Sequence, residues 1–347
     1  MHASGKDPAI EIHTVDPSDE PSLRAWWEVG AAASAERPFD AWPAWEVSRR
    51  ALPAPNPSAE VVLLIARSLH EAVGAGLLVL RTVDNTHQAD VEVYVVPDHR
   101  RRGIGRALAA DAEQRVRALG RSTIVSTVFT PSGSQSPGSL FADAQGCAVA
   151  SEEETKLVDL AAVQDGWDGL ADEVSAARGD YEYVLFEDSC PDEHIEGLCR
   201  VLSVFLDEIP TGDLDLEASL WTPERLRKGE QRAKDMGRTT IIAIALSPDR
   251  EVCGFSDLRI ASTDSEQASV GGTLVLPEHR GHRLGLGMKL MTHRRLLELF
   301  GGCRRVETGN ATVNAAMNAV NERMGYRVVE RALDVQKILT AGQPTCD

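Results

Sequence analysis

The sequence predicts an α+β protein built from two copies of one mixed fold, each a mostly antiparallel central sheet flanked by helices. Three observations carry this. The run Pro97-Asp98-His99-Arg100-Arg101-Arg102-Gly103-Ile104-Gly105-Arg106-Ala107 is echoed by Pro277-Glu278-His279-Arg280-Gly281-His282-Arg283-Leu284-Gly285-Leu286-Gly287. Each run is entered through strand-like segments and left through an amphipathic helix. The chain has 347 residues, more than one core usually spans. The offset between the two runs, about 180 residues, is too long for a solenoid and fits two whole domains with a connector.

In the first copy, residues 60–66, 74–80 and 91–96 are predicted strands, rich in β-branched and aromatic side chains. A helix follows over about 103–119, with Ile104, Leu108, Ala112, Val116 and Leu119 at helical spacing and Gly120 as its stop. A strand over 123–128 comes next. The second copy runs in parallel, with strands at 239–246, 252–260 and 269–276, then a helix over 284–300 ended by Gly301-Gly302. A strand at 305–308, a helix over 314–324 stopped by Gly325, and strands at 326–330 and 332–338 close it. Earlier helices are predicted at 20–33 and 44–51, and again at 192–206 and 223–236. Each half thus reads β-α-α-β-β-β-α-β-α-β-β. Residues 164–180, rich in Gly, Asp and Ala, form the natural linker, with room for one short helix. The expected domains are 8–163 and 181–341.

Hydrophobic residues make up 43% and charged ones 26%, an ordinary globular profile. No apolar window of about 18 residues exists, which argues against a membrane span. The N-terminal residues lack the apolar segment of a signal peptide, so the cytoplasm is expected. Six scattered cysteines without a CxxC pair, and no clustered histidines, argue against a metal site or a disulfide framework. The net charge of −17 speaks against nucleic-acid binding. It suits a basic amine substrate, and it equally suits solubility alone.

A strand that runs through an Arg-rich turn and Gly-x-Gly into a helix makes an anion site. The glycines allow close backbone approach, the helix offers free N–H groups and the positive end of its dipole, and arginines add charged donors. The spacing is neither that of a Walker loop nor that of a dinucleotide fingerprint.

Arg100-Arg101-Arg102-Gly103-Ile104-Gly105-Arg106-Ala107 resembles the R/Q-x-x-G-x-G/A signature of the GNAT N-acetyltransferase superfamily. In the second copy Arg283 stands where the first glycine would be. With Thr308-Gly309-Asn310 and the stretch Asn314 to Tyr326, the chain is similar to tandem GNAT proteins of the mycothiol synthase-like type, over about residues 10–339. The resemblance implies two tandem GNAT acyl-CoA N-acyltransferase folds and acetyl-CoA as acyl donor, with no metal. It implies donor binding by Val95, Val96, Arg100, Arg101, Arg102, Gly103, Ile104, Gly105, Arg106 and Ala107. In the second copy it implies Leu274, Val275, Leu276, Arg280, Gly281, His282, Arg283, Leu284, Gly285, Leu286 and Gly287, and Asn310, Asn314 and Asn318 beside the pantetheine path.

Acyl transfer needs backbone donors for the thioester oxygen, a carboxylate or a water it holds to take the amine's proton, and an acid for the leaving thiolate. Many family members use a Tyr four residues before a terminal Gly-Phe pair. This chain departs from that pattern: Ala142 and Asn321 occupy the two positions. Asn321 can hydrogen-bond a sulfur or a water, but it supplies no proton of tuned pKa. Glu92, an acid in an otherwise apolar strand, reads either as a buried general base or as a solvent-facing residue. Glu307 carries the same two readings; Gly272 takes the place of Glu92 in the second copy. His99 and His279 read as turn residues. Residues 131–138 read as a flexible loop.

The resulting expectation is an N-acetyltransferase acting on a primary amine of a small molecule, as monomer or homodimer, without nucleic-acid or membrane partner. The C-terminal domain is expected to do the chemistry through Glu307 and Asn321, and the N-terminal domain to bind acetyl-CoA structurally. Mycothiol synthesis, or a non-catalytic acyl-CoA sensor or scaffold, are the alternatives.

Overall fold

The structure, a computed structural model, describes residues 9–339 except 38, 40, 41, 132 and 133. The expected domain limits at 8 and 341, together with Ser132, Gly133 and Cys346, lie outside the described residues. By packing the chain divides into two compact units. The N-terminal unit holds residues up to 128, 135–150 and those from 333 onward; the C-terminal unit holds 129–134 and 151–332. Residues 151–163, expected with the first half, therefore pack within the second unit. The last strand ends in the first.

The N-terminal unit begins with β1 (Ile10–Val15), α1 (Glu20–Ser34), α2 (Trp45–Ala51), β2 (Ala59–Ser68), β3 (Glu71–Arg81) and β4 (Gln88–Val95). Strands β1 to β4 pair antiparallel in sequence order. A short 3-10 turn, Pro97–His99, leads to α3 (Ile104–Ala118), and β5 (Thr123–Thr130) returns parallel to β4. Ile104, Leu108, Ala112 and Val116 recur every four residues and are all buried against one face of this sheet. The other face carries Leu23, Trp26 and Val29 of α1. Then come α4 (Pro137–Ala144) and β6 (Ala148–Asp159).

α5 (Leu160–Val163) and α6 (Trp167–Ala177) occupy most of the stretch read as a linker. Trp167 and Val174 of α6 are core residues of the C-terminal unit, so this stretch is built into that unit. Next come β7 (Glu182–Glu187), α7 (Asp192–Ser203), α8 (Phe205–Glu208), α9 (Pro223–Asp235), β8 (Arg238–Leu246), β9 (Val252–Ala261) and β10 (Asp264–Val275). A second 3-10 turn, Pro277–His279, precedes α10 (Leu284–Leu299), β11 (Arg305–Ala311), α11 (Ala315–Arg323) and β12 (Arg327–Ile338). β7 to β10 pair antiparallel in order, β11 joins β10 in parallel, and β6 covers β11 antiparallel from Asp159 to Glu153. Helix α10 buries one face of this sheet; α7 and α9 bury the other.

The sequence pattern overlooks β1, α4, β6 and β7 as located elements and reads β12 as two strands. Helix α4 starts inside the stretch taken for a flexible loop. Ser136 and Ser139 form a reciprocal capping box, and Pro137 sits at the first turn, where its missing N–H costs nothing.

Candidate active site

Both units open the sheet in the same place. β4 and β5 pair only from Gln88↔Thr123 to Asp90↔Val125, then part. β10 and β11 pair only from Gln267↔Arg305 to Ser269↔Glu307. Beyond these points each strand runs on toward its loop with backbone groups its parallel neighbour does not use.

In the N-terminal loop Arg101 (φ 66) and Gly103 (φ 83) are left-handed. Gly103 is the N-cap of α3 and no side chain caps the helix; its first intrahelical bond is Ala107 N–H to Gly103 O, 3.0 Å. The first-turn N–H groups are therefore offered outward. A Cβ on Gly103 would meet nothing within 4 Å, so the backbone angle and not crowding favours glycine there. Arg100 turns away from the loop: Nη1 bonds Glu36 at 2.6 Å and Nε bonds the Val95 carbonyl at 3.3 Å. Arg102 bonds the Asp98 carbonyl. Arg101 and Arg106 are exposed, without protein partner among the described residues. Of the arginines read from sequence, these two are free for an anion. Ile104 is core, Val95 and Val96 are half-buried, and Gly105 faces Phe141 of α4.

The C-terminal loop repeats the backbone with other side chains. Arg283 (φ 56) takes the left-handed N-cap position, and Gly281 (φ 90) precedes it. Arg280 mirrors Arg100, binding the Val275 carbonyl at 3.0 Å and Glu208 at 2.6 Å. Arg283 is held by Glu173 of α6, which also binds Arg323 of α11. Hydrogen bonds from Arg323 and then Arg283 keep the Glu173 carboxyl below the usual range. The His282 ring lies 4.7 Å from Tyr181, whose hydroxyl is 3.0 Å from His279 Nδ1. Leu274, Leu284 and Leu286 are buried core residues. Gly287 is required by packing, since a Cβ there would overlap the Tyr183 hydroxyl and crowd Val174.

Two of the three asparagines read as lining the pantetheine path, Asn310 and Asn318, are joined in a largely buried polar chain. Lys156 Nζ donates to Asn310 at 3.0 Å and Asn318 at 2.5 Å. Asn321, with no exposed surface, donates to Asn310 at 2.9 Å and accepts from Lys289 Nζ at 2.7 Å. Both ends of the Asn321 amide are thus engaged. Asn314 caps α11 through the Met317 N–H. Burial lowers the Lys289 amine to about 7, with Lys156 adding to the shift. Burial also lowers His293 to about 3, so its ring is neutral. Nδ1–H then donates to the Lys289 carbonyl (2.6 Å), and Nε2 accepts from the Tyr326 hydroxyl (2.7 Å).

On the opposite face of each sheet stands a carboxyl, Glu92 half-buried and Asp257 buried. In the N-terminal unit Glu92 accepts from Tyr94 Oη, in a cluster where Trp42 lies 4.9 Å from Tyr94 and 5.7 Å from Trp26. Burial raises the Glu92 pKa, opposed by the Tyr94 hydrogen bond. In the C-terminal unit Gly272 holds the equivalent strand position, and its cross-strand partner is Asp257 of β9. Burial raises the Asp257 pKa, against Arg259, whose Nε lies 2.9 Å away. The Gly272 N–H also donates to this carboxylate. β10 is irregular between Val270 and Gly272, and a Cβ on Gly271 would collide with the Asp257–Arg259 pair. Glu307, half-buried, stands at the last β10–β11 pair and shares the partner residue Ser269 with Arg259. Sequence reasoning missed Asp257. The only signal was an acid two residues before an arginine in an apolar strand.

The Acetyltransferase (GNAT) family model matches residues 23–135. A solved tandem GNAT protein from the clavulanic acid biosynthesis pathway is similar at 28% identity and TM-score 0.79, covering 96% of this chain and 100% of that one. The chain carries the GNAT fold in tandem, with the family match in its N-terminal unit. A GCN5-related N-acetyltransferase from Sphaerobacter thermophilus shares the fold at 16% identity and TM-score 0.65, over 96% of this chain and 97% of its own. No curated protein matches the chain by sequence. As a GNAT acetyltransferase this tandem protein belongs with acyl-CoA-dependent acyl transfer. Among the described residues no helix is long and apolar enough to cross a membrane, and no cluster of His, Cys, Asp or Glu is placed to hold a metal.

Proposed function

We propose that this tandem GNAT protein transfers an acetyl or related acyl group from acyl-CoA to the primary amine of a small molecule. Transfer occurs in the C-terminal unit, while the N-terminal unit holds acetyl-CoA structurally. The observation that carries this reading is the β10 irregularity at Gly271–Gly272, which sets backbone beside a buried carboxylate at the point where the sheet opens. β4 pairs with β3 without interruption from Val95 to Asp90, and has no such feature. The clavulanic acid pathway of the tandem neighbour supports a small-molecule acceptor.

In the N-terminal unit the uncapped first turn of α3 with Arg101 and Arg106 suits a pyrophosphate. In the C-terminal unit Glu307 anchors the acceptor's ammonium at the mouth of the opening. Asp257, acting through a water, takes its proton. The amine nitrogen then attacks the thioester carbon, and free N–H groups of β10 beyond Ser269 stabilise the oxyanion. The C–S bond breaks as the nitrogen gives up its second proton, which passes through solvent to the departing thiolate, and the amide forms.

Thiol release from acetyl-CoA across a panel of amines tests the activity, and separate disruption of 100–105 and 280–285 tests the division. Loss of turnover on changing the second loop is expected. Loss confined to changes in the first would reverse the roles.

A further inference from the structure

The acceptor face of the C-terminal unit carries three arginines that the transfer chemistry leaves unused. Arg238 opens β8, directly after α9, and shares its strand face with Ile242, which packs with α7 and α9. Arg259 lies on the neighbouring strand and the same face, since its partner in β8 is Thr240. Arg238 and Arg259 are thus diagonal neighbours, within reach of long side chains. Arg232 comes from the last turn of α9, six positions before Arg238.

Arg238 is half-buried, yet no carboxylate, carbonyl or hydroxyl among the described residues bonds its guanidinium. Burial lowers its pKa, and the like charges of Arg259 and Arg232 lower it further. The neighbouring acids are engaged: Asp188 accepts the Thr240 N–H at 2.9 Å, and Glu230 accepts from Cys190 N–H and Arg227. Asp257 accepts from Arg259 Nε; the half-exposed Arg259 guanidinium lies against Gly271, and no bond among the described residues engages its Nη groups. Cations gathered on a partly desolvated face, with one member lacking any counter-charge, are costly unless something anionic completes them.

We propose that the acceptor carries an anionic group, carboxylate or phosphate, which Arg238 and Arg259 grip with Arg232 alongside, while its amine points toward Asp257 and Glu307. This rests on the acyl-transfer reading for the C-terminal unit and narrows its substrate to amines bearing an anion. The spacing suits a small acceptor. Arg259 joins the two sites: its Nε touches Asp257, and its fork is free for the anion.

The test follows thiol release with paired acceptors that differ only in the anion. One pair is an α-amino acid and its amide; the other is an amino-alcohol phosphate and the free amino alcohol. In the wild type the anionic member of one pair is preferred by about tenfold or more in kcat/KM, and the pair that shows it says which anion is bound. Arg238→Met brings that ratio to within about twofold, mainly through KM, and Arg238→Lys restores part of it. A second readout needs no turnover: inorganic phosphate or acetate raises the melting temperature of the wild type but not of Arg238→Met. Equal use of both members by the wild type, or an unchanged ratio in Arg238→Met, overturns the anion site alone. No thiol release with any amine sinks the acyl-transfer reading instead, and the melting shift then decides the anion site by itself.

Discussion

Glu92 in the N-terminal unit and Asp257 in the C-terminal unit occupy the same face of two similar sheets, and burial raises the pKa of both. Their partners differ. Glu92 is tied to a neutral phenol among tryptophans, whereas Asp257 is tied to a guanidinium beside an irregular strand. The loops differ in the opposite sense. Gly103 takes its left-handed angle without strain, and α3 stays open. Arg283 adopts the same angle at a cost of about 1 kcal/mol, and its side chain is already held by Glu173. One unit keeps the open anion loop; the other keeps a buried carboxylate paired with a guanidinium beside an irregular strand. On the proposed division of roles, two requirements of one reaction are met in different copies of the fold.

The sharpest way to break this comparison is to remove each carboxylate. Asp257→Asn is expected to lower kcat by about 10²-fold or more, the range for loss of a general base. Glu92→Gln should change it by less than about threefold, and similar losses in both would erase the asymmetry. The pH profile adds a signed check. A raised carboxyl pKa means that activity falls on acidification at a pH above the usual aspartate range, and that acid limb should disappear in Asp257→Asn.

A smaller effect is expected at the loops. Glu173→Ala frees Arg283 and Arg323, and titration with CoA should show the C-terminal unit binding a few-fold more tightly, more so at low salt. No change would mean that Glu173 does not compete with the ligand.

A check on stability, separate from activity and binding, concerns the polar chain of the C-terminal unit. The Lys289 amine falls from 10.5 to about 7 on folding, so between those values the unfolded chain binds more protons. Stability gained from this group therefore rises with pH from about 7 toward 10.5, and its cost is full below 7. Melting curves of the wild type and Lys289→Met across that window should diverge by this slope. Parallel curves would show Lys289 charged in the fold.

The sequence made local features legible. The two helices after the loops, their glycine stops and the strands entering them can be read from apolar spacing within one segment. Helix α4 escaped because Pro137, Gly138 and three serines look like a loop until Ser136 and Ser139 are seen capping one another. Asp257 escaped for a non-local reason. The strand equivalent to that of Glu92 offers only Gly272, and the carboxylate arrives from β9 through a cross-strand pairing that spacing does not encode. Arg100 and Arg280 were read as phosphate ligands from their motif positions; their actual partners, Glu36 and Glu208, lie 64 and 72 residues away.

The membership of β6 in the C-terminal unit bears on how the two halves can be handled. β11 is seven residues long, and β6 covers it from end to end, while β10 supports only its first three residues. A gene fragment that starts after residue 163 would encode this unit without β6. It would leave a hydrogen-bonding row open to any passing chain, the usual route to aggregation. A C-terminal half cut at the most linker-like stretch is therefore expected to aggregate, whereas one that begins before β6 keeps this edge covered. The sequence repeat and the packing units thus divide the chain at different places.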